Sequence, residues 1–261
     1  MRITATGINY ANYEAELGIR NENNTDRNLA FLAETYGYSR NAVNGFMIEN
    51  GYIGMELAPG ESGEDAAGFD YNELLLHGIS EIADIQIGFS ISDDDNNYTY
   101  TGPLQVKTPL SESYDYNNDG YQKAISSKAM QYTYGYTVKD FAAKEAFNSG
   151  GIRILSECYV ENEDGEHSLM LEVMNDNDFV AHFTTRDIQM NGTLVYDSSW
   201  TYEVINPHCR ALVDIQPEYI LDEDEMAEYG VNEIESIGFT VNVMNDDGIV
   251  VAEPKDLVIS L

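Results

Sequence analysis

The sequence predicts an all-β chain of two tandem sandwich domains, each with one short helix before its penultimate strand. Three observations carry that prediction. The first is a duplication. Residues 70–95 read DYNELLLHGISEIADIQIGFSISDDD and residues 222–247 read DEDEMAEYGVNEIESIGFTVNVMNDD. Asp70, Glu73, Gly78, Glu81, Ile82, Ile85, Asp94 and Asp95 each recur 152 residues later, from Asp70/Asp222 to Asp95/Asp247, and one spacing held over so many positions marks a repeated unit. The second is period-two alternation. Ile85, Ile87, Phe89 and Ile91 alternate with small or polar residues, as do Ile237, Phe239, Val241 and Val243, so one face of each strand is buried. The third is the turn signals, which fall every ~8–12 residues, the rhythm of a two-sheet sandwich.

The elements follow in order. Residues 3–10 form a first strand whose counterpart is 155–162, extended backward by 151–154. Residues 16–21 and 168–173 form the next pair and enter the polar turns NNTD (23–26) and NDND (175–178). Asn and Asp suit such turns because their side chains bond the nearby backbone. Apolar sequence resumes at 29–32 and 179–183. Asn44-Gly45 then matches Asn191-Gly192 at a spacing of 147, so the first copy carries five extra residues around 35–40. Asn-Gly between apolar flanks predicts a tight hairpin. After it, Ile53, Met55 and Leu57 align with Trp200, Tyr202 and Val204, which makes Trp200 a core residue. Pro59-Gly60 and Asn206-Pro207 turn the chain, and strands follow at 65–69 and 211–215.

Asp70 and Asp222 precede a short helix, with Glu73 and Glu225 three residues on, the spacing of a capping box. Gly78 and Gly230 stand where each helix must stop in a left-handed conformation. A hairpin follows, and 104–106 and 257–259 close the copies. Seven or eight strands per copy, with no regular crossover helices, point to an immunoglobulin-type sandwich. The predicted boundaries are 1–110 for the first sandwich, 111–150 for a tyrosine-rich, partly ordered connector, and 151–261 for the second. Within the connector, 131–138 alternates like a strand and 138–147 reads as a helix.

The chain has 261 residues and a formal net charge of −33. That charge excludes nucleic acid and anionic membrane surfaces as partners, because both require clustered Lys and Arg. It favours a basic partner whose attraction is screened by salt. No apolar run approaches the ~18 residues of a membrane span, so no membrane insertion by this chain is expected. MRITATGINY lacks the ordered basic and apolar regions of a signal peptide and leads straight into strand-like residues, as in a chain trimmed of a leader. Cys158 and Cys209 both lie in the second copy. A disulfide between them has no support from the repeat, and they read as free, partly buried thiols.

Few residues suggest chemistry. Asp115-x-Asn117-x-Asp119-Gly120 opens like a calcium loop, but its twelfth position is Ser126 where a bidentate acid belongs. It reads as an ordinary turn. The acidic tips 93–95 and 245–247 could hold a cation, but read as charged hairpin ends. His77, His167, His182 and His208 are scattered, with no zinc spacing. Tyr98/Tyr100 and Tyr132/Tyr134/Tyr136 alternate and could stack on sugars, although half-exposed strand tyrosines are common. No catalytic, cofactor or metal residue is assigned.

With the repeat laid out, the chain resembles the tandem immunoglobulin-like repeats of surface lipoproteins and secreted proteins of Gram-positive gut bacteria. The resemblance rests on the NNTD turn, the Val-Asn-Gly and Met-Asn-Gly hairpins, and the Gly-Ile-x-x-Ile and Gly-Val-x-x-Ile runs after the helix. It covers 3–108 and 152–261. It implies an extracellular or cell-surface location and a non-catalytic module for adhesion, display or protein binding. The alternative is a carbohydrate-binding accessory module or hydrolase-associated domain. Either way the expected partner is a protein or glycan.

Overall fold

The computed structural model describes residues 1–33 and 40–261. The chain is mostly antiparallel β-sheet, sandwich-like, and divides into two compact units, Met1–Tyr121 and Gln122–Leu261. The five-residue insertion read around 35–40 lies largely outside the described residues.

The first unit contains β1 (Arg2–Tyr10), β2 (Glu14–Glu22), β3 (Leu29–Ala33), β4 (Ala42–Val43), β5 (Phe46–Met47), β6 (Ile53–Leu57), β7 (Ser62–Asp70), α1 (Tyr71–Leu76), β8 (Asp84–Asp93) and β9 (Tyr98–Lys107). One sheet has the order β1-β2-β7. In the other, β8 carries β9 on one edge and both β3 and β4 on the opposite edge; β6 lies outside β3 and β5 pairs with β4. Leu17, Ile19 and Phe69 from the first sheet and Phe31, Ile53, Ile85, Ile87 and Phe89 from the second are fully buried. Each sheet therefore presents its alternate residues to a common core.

After β9, Thr108 caps a 3-10 turn over Pro109–Glu112. The following segment packs on the first unit. The Tyr121 ring is buried and lies 5.9 Å from that of Phe46, and buried Asp84 accepts hydrogen bonds from Gln105 (2.6 Å) and from Tyr116.

The boundary falls within α2 (Gly120–Ser126). Then come α3 (Lys128–Tyr134), β10 (Tyr136–Ala142), β11 (Phe147–Ser149), β12 (Ile152–Asn162), β13 (His167–Asn175), β14 (Ala181–Met190), β15 (Thr193–Ile205), β16 (Arg210–Ile215), α4 (Pro217–Ile220), α5 (Glu223–Glu228), β17 (Ser236–Asn245) and β18 (Val250–Ser260). Within this unit one sheet has the order β10-β12-β13-β16, with β11 also on β12, and the other has β15-β14-β17-β18. The stretch 111–150, read above as a connector, is thus shared: 111–121 belongs to the first unit, while 122–150 supplies two helices and two strands to the second.

The duplication is visible in hydrogen bonds. Asn44 Nδ2 donates to Glu81 O (2.7 Å), and its Oδ1 accepts from Ala83 N and Asp84 N. Asn191 Nδ2 donates to Glu233 O (2.7 Å), and its Oδ1 accepts from Glu235 N and Ser236 N. Both asparagines and the glycines after them have positive φ, between 51° and 79°, as a tight hairpin turn with right-handed strand twist requires. Asn23 and Asn175 likewise donate to the carbonyl four residues on, Arg27 O and Phe179 O.

Four expectations are corrected. The helix and strand of the 131–147 region are exchanged: 128–134 is helical and 136–142 is the strand. Gly135 adopts φ 66° and stops α3, and β10 then pairs with β12, so pairing overrides the helical propensity of Ala142, Ala143 and Ala146. Tyr132 is accordingly a helix residue, 91% exposed. Second, the capping box forms only at Asp222/Glu225. Asp70 caps Asn72 N alone, because Glu73 accepts instead from Glu49 N and Asn50 Nδ2. Third, Trp200 is not a core residue. β14–β15 shifts register between Thr185 and Arg186, pairing Thr185 with Thr201 and Arg186 with Ser199, and Trp200 is the extra residue. Leu57, opposite Leu29, therefore corresponds to Ile205, opposite Ala181. A one-residue slip turns every side chain to the other face, so Ile205 is buried, Tyr202 is 58% exposed and Trp200 is half-buried. The same slip aligns Pro59-Gly60 with Pro207-His208, whose second residues both have positive φ. Fourth, Cys158 and Cys209 are free, as read from the sequence, but fully buried rather than partly so.

Gly78 (φ 73°) and Gly230 (φ 74°) both end their helices in the left-handed region. A Cβ at Gly78 would collide with the backbone of Gly120, whereas one at Gly230 would meet nothing within 4 Å. Gly230→Ala should therefore cost only the left-handed penalty, about 1 kcal/mol, and Gly78→Ala clearly more. Urea titrations that gave both variants the same loss would contradict this account.

Candidate functional site

A cleft of about 520 Å³ opens in the second unit, with Lys139, Asp140, Tyr159, Glu161, His167, Glu218 and Glu233 on its walls and Met226, Val231 and Ile234 at its floor. Local structure explains each placement. The β10–β12 ladder shifts register between Val138 and Asp140, and such a bulge re-aims the extra residue. Here that residue is Lys139, which forms an ion pair with Glu161. The β12–β13 hairpin sets Glu161 opposite His167. The floor belongs to an apolar cluster with Met190 and Leu221.

Glu218 lies in the first turn of α4. One carboxylate oxygen accepts from His167 N (3.0 Å), and the other lies 2.6 Å from His167 Nδ1. A carboxylate there places the proton on Nδ1. So fixed, the imidazole lies parallel to the Tyr159 ring, with centroids 5.2 Å apart and an interplanar angle of 8°. Burial, then the negative Glu218 and Glu161, push the Tyr159 phenol pKa upward, so the phenol stays protonated. The cleft thus offers four carboxylates against one ammonium, an aromatic wall and an apolar floor. Its lining includes a base and several acids but no serine, threonine or cysteine. The arrangement is suited to holding a cation with an apolar stem.

The other sequence candidates are placed as follows. Asp115 Oδ1 accepts from Asn117 N (3.0 Å) and Asn118 Oδ1 from Gly120 N (2.8 Å), turns that lead into α2. At the first acidic tip, Asp93 accepts from the side chain and backbone N–H of Asn97, which hold its carboxyl well below the usual carboxylate range, with Arg27 adding to the effect. At the second tip, Asp246 bonds His182 Nε2 (2.7 Å), whose Nδ1 contacts the Tyr202 hydroxyl (2.6 Å). His208 pairs with Asp178 at 2.8 Å. The His77 ring packs edge-on against Phe46, and burial lowers its pKa. Among the described residues, no group of three His, Cys, Asp or Glu side chains is arranged to hold a metal ion. The Tyr98 and Tyr100 rings lie near-parallel on β9, whereas Tyr132 and Tyr134 lie on α3. The Cys158 thiol is pushed up to about 12, chiefly by burial, and so is chemically quiet.

The sequence did not reveal the cleft, because its walls come from four separated segments. One signal was present. The spacing between copies is 148 at Pro59/Pro207 and 152 at Asp70/Asp222, which leaves four extra residues in the second copy. Those residues form α4, Pro217–Ile220, the helix that carries Glu218.

No protein-family model and no curated protein sequence matches the chain. Distant likenesses exist among solved structures. The YadV chaperone shares 10% identity at a TM-score of 0.24, covering 93% of this chain and 92% of that one. A red sea bream transglutaminase shares 9% at 0.23, covering 100% of this chain and 31% of that one. A Bacteroides uniformis β-glucuronidase shares 10% at 0.24, covering 95% of this chain and 26% of that one. This chain spans about a third or less of those two enzymes. These are distant β-rich neighbours and assign no family.

Two carboxylates outside the cleft yield tests. Glu172, with no exposed surface, accepts from Arg210 (2.9 Å), Ser156 (2.8 Å) and Gln122 (2.8 Å). Glu172→Ala removes the buried carboxylate that Arg210, Ser156 and Gln122 bond and should cost about 3–5 kcal/mol in the second unit; a denaturation midpoint like that of the unaltered protein would refute the network. Glu73, in the first unit, is pushed up to about 7 from 4.5, burial outweighing its bonds to Glu49 and Asn50. The folded state then binds the proton more tightly than the unfolded state, so stability falls as pH rises from ~4.5 to ~7. Glu73→Gln should flatten that slope in melting curves taken between about pH 5 and pH 8, and an unchanged slope would show that Glu73 is not its source.

Proposed function

We propose that the chain is a tandem of two immunoglobulin-like sandwiches acting as a non-catalytic interaction module of an extracellular or cell-surface protein, and that the second sandwich docks a basic segment of a partner protein. The tandem reading is supported by the Asn44 and Asn191 bonds, which recur atom for atom, and by the equivalent sheets of the two units. The observation that carries the function is the cleft. A Lys or Arg side chain from a partner would lay its methylenes on Met226, Val231 and Ile234 and carry its charge to Asp140 and Glu233. The net charge of −33 would draw such a segment in from a distance.

The test uses a fluorescent lysine-rich decapeptide and its arginine counterpart, followed by anisotropy. Binding should weaken several-fold between about 50 mM and about 300 mM salt, as the Debye length shortens. Asp140→Asn with Glu233→Gln should weaken it about tenfold, a loss of about 1.4 kcal/mol. A control removes the same charge elsewhere, with Glu64→Gln and Asp65→Asn. Equal losses in the two double variants would reduce the effect to bulk charge and sink the cleft reading.

A further inference from the structure

We propose that the outer face of the larger sheet in the first unit is a binding site for a neutral saccharide. The register builds two rows across four strands. Tyr98, Ser92, Ala30 and Glu56 form one, from the pairs Ser92↔Tyr98, Ala30↔Ser92 and Ala30↔Glu56. Tyr100, Ser90, Leu32 and Gly54 form the other by the same pairings. At the β9 edge the Tyr98 and Tyr100 rings lie 6.4 Å apart at an interplanar angle of 13°, and the side chains are 57% and 47% exposed. At the β6 edge the Tyr52 ring lies across Gly54, where a Cβ would meet the phenol oxygen at 2.5 Å. Tyr52 is 65% exposed. Between these edges lie Ser92 and Ala30 in one row and Ser90 and Leu32 in the other, so the tyrosines are the aromatic features of these two rows.

Charge and area select the occupant. In a chain with 46 acidic residues, these rows carry one carboxylate, at the far end. An uncharged polyol meets no repulsion there, whereas an anionic sugar meets the field of the whole protein. Flat aromatic rings stack on the C–H faces of a pyranose at low entropic cost, since a tyrosine has only two side-chain torsions to fix. Four strands at ~4.8 Å spacing and two rows ~7 Å apart give a face of about 14 by 7 Å. That is roughly an eighth of the ~800 Å² each partner contributes to a stable protein interface, and suits one or two sugar rings. The partly exposed Ser92 beside Tyr98, and Glu56 at the β6 edge, can accept from sugar hydroxyls; Ser90 is buried and does not take part. This site is separate from the cleft and does not depend on it.

The test is affinity electrophoresis of the full chain through gels holding neutral polysaccharides (a β-glucan, a xylan, a galactomannan) or anionic polygalacturonate. Retardation by at least one neutral polymer is expected, with little change on adding salt, together with at least tenfold weaker retardation for Tyr98→Ala/Tyr100→Ala. Tyr52→Ala should also weaken it. The Asp140→Asn/Glu233→Gln variant should run like the unaltered chain, which separates this site from the cleft. The tyrosines are exposed, and a melting curve checks that the variants fold. No retardation by any neutral polymer, retardation that survives loss of Tyr98 and Tyr100, or a preference for polygalacturonate would each overturn the proposal.

Discussion

The asparagine that opens each Asn-Gly hairpin is the constraint on which both units depend. Asn44 sits at φ 51° and is 4% exposed. Its amide is spent wholly on backbone 37 to 40 residues away: one carbonyl and two N–H groups at the entry to β8. Asn191 does the same at the entry to β17. That entry follows a helix of under two turns, which has no independent stability, and leads into the strand at the heart of its sheet. Without the Asn44 amide, the buried Ala83 and Asp84 N–H groups would lose their partner where they enter the sandwich, and each would cost of order 1–3 kcal/mol; the Asn191 bonds are exposed, and there the same pinning is weaker. Glycine, asparagine and aspartate take the left-handed turn position most readily, and of these only asparagine both donates and accepts through its side chain. Turn geometry and long-range pinning therefore demand the same residue.

This also explains which parts of the fold were legible in the sequence. The hairpins were, because Asn-Gly is a local signal, and so were the strands at 85–91 and 237–243, because alternation is local. The Trp200 slip was not. One inserted residue leaves no mark in composition, yet it reverses which of Trp200, Tyr202, Val204 and Ile205 faces inward. The exchange of helix and strand near 135 failed for a related reason. The alanines of 142–146 carry helical propensity, but the partner strand β12 lies downstream and cannot be weighed by a local window. The cleft was least legible of all, since Asp140, Tyr159, Glu218 and Glu233 meet only once the second unit is closed.

An acidic chain with 13 basic side chains must also place its cations economically. Arg210 lies against the fully buried Glu172, where an unpaired carboxylate would be most costly. Arg153 makes a two-point contact with Asp176, and Lys139 offsets Glu161 at the rim of the cleft. The remaining carboxylates lie mostly in water, where repulsion is screened. Asp140 and Glu233 line the cleft as well, and this uneven compensation is what gives the cleft its electrostatic character.

The hairpin tips show how the copies diverged without disturbing the fold. In the first unit, Asp93 Oδ1 accepts from Asp95 N (3.0 Å) and Asn97 N (3.0 Å). In the second, Asn245 Oδ1 accepts from Asp247 N (3.0 Å) and Ile249 N (2.9 Å). The backbone cap is the same, made by a carboxylate in one copy and a carboxamide in the other. The carboxylate carries a charge that needs a counterion, and Arg27 supplies it. The carboxamide needs none, and the position equivalent to Arg27, 152 residues on, is Phe179. The two changes compensate each other, so charge at the tip is exchanged while geometry stays fixed. Asp246 is thereby left to pair with His182, a residue whose counterpart in the first copy is Ala30 at the centre of the tyrosine-edged face. A fold held by side chains that cap backbone can vary the charge of its outer surfaces almost freely. The two units accordingly share their internal bonds and differ at their edges, the cleft in one and the tyrosine face in the other.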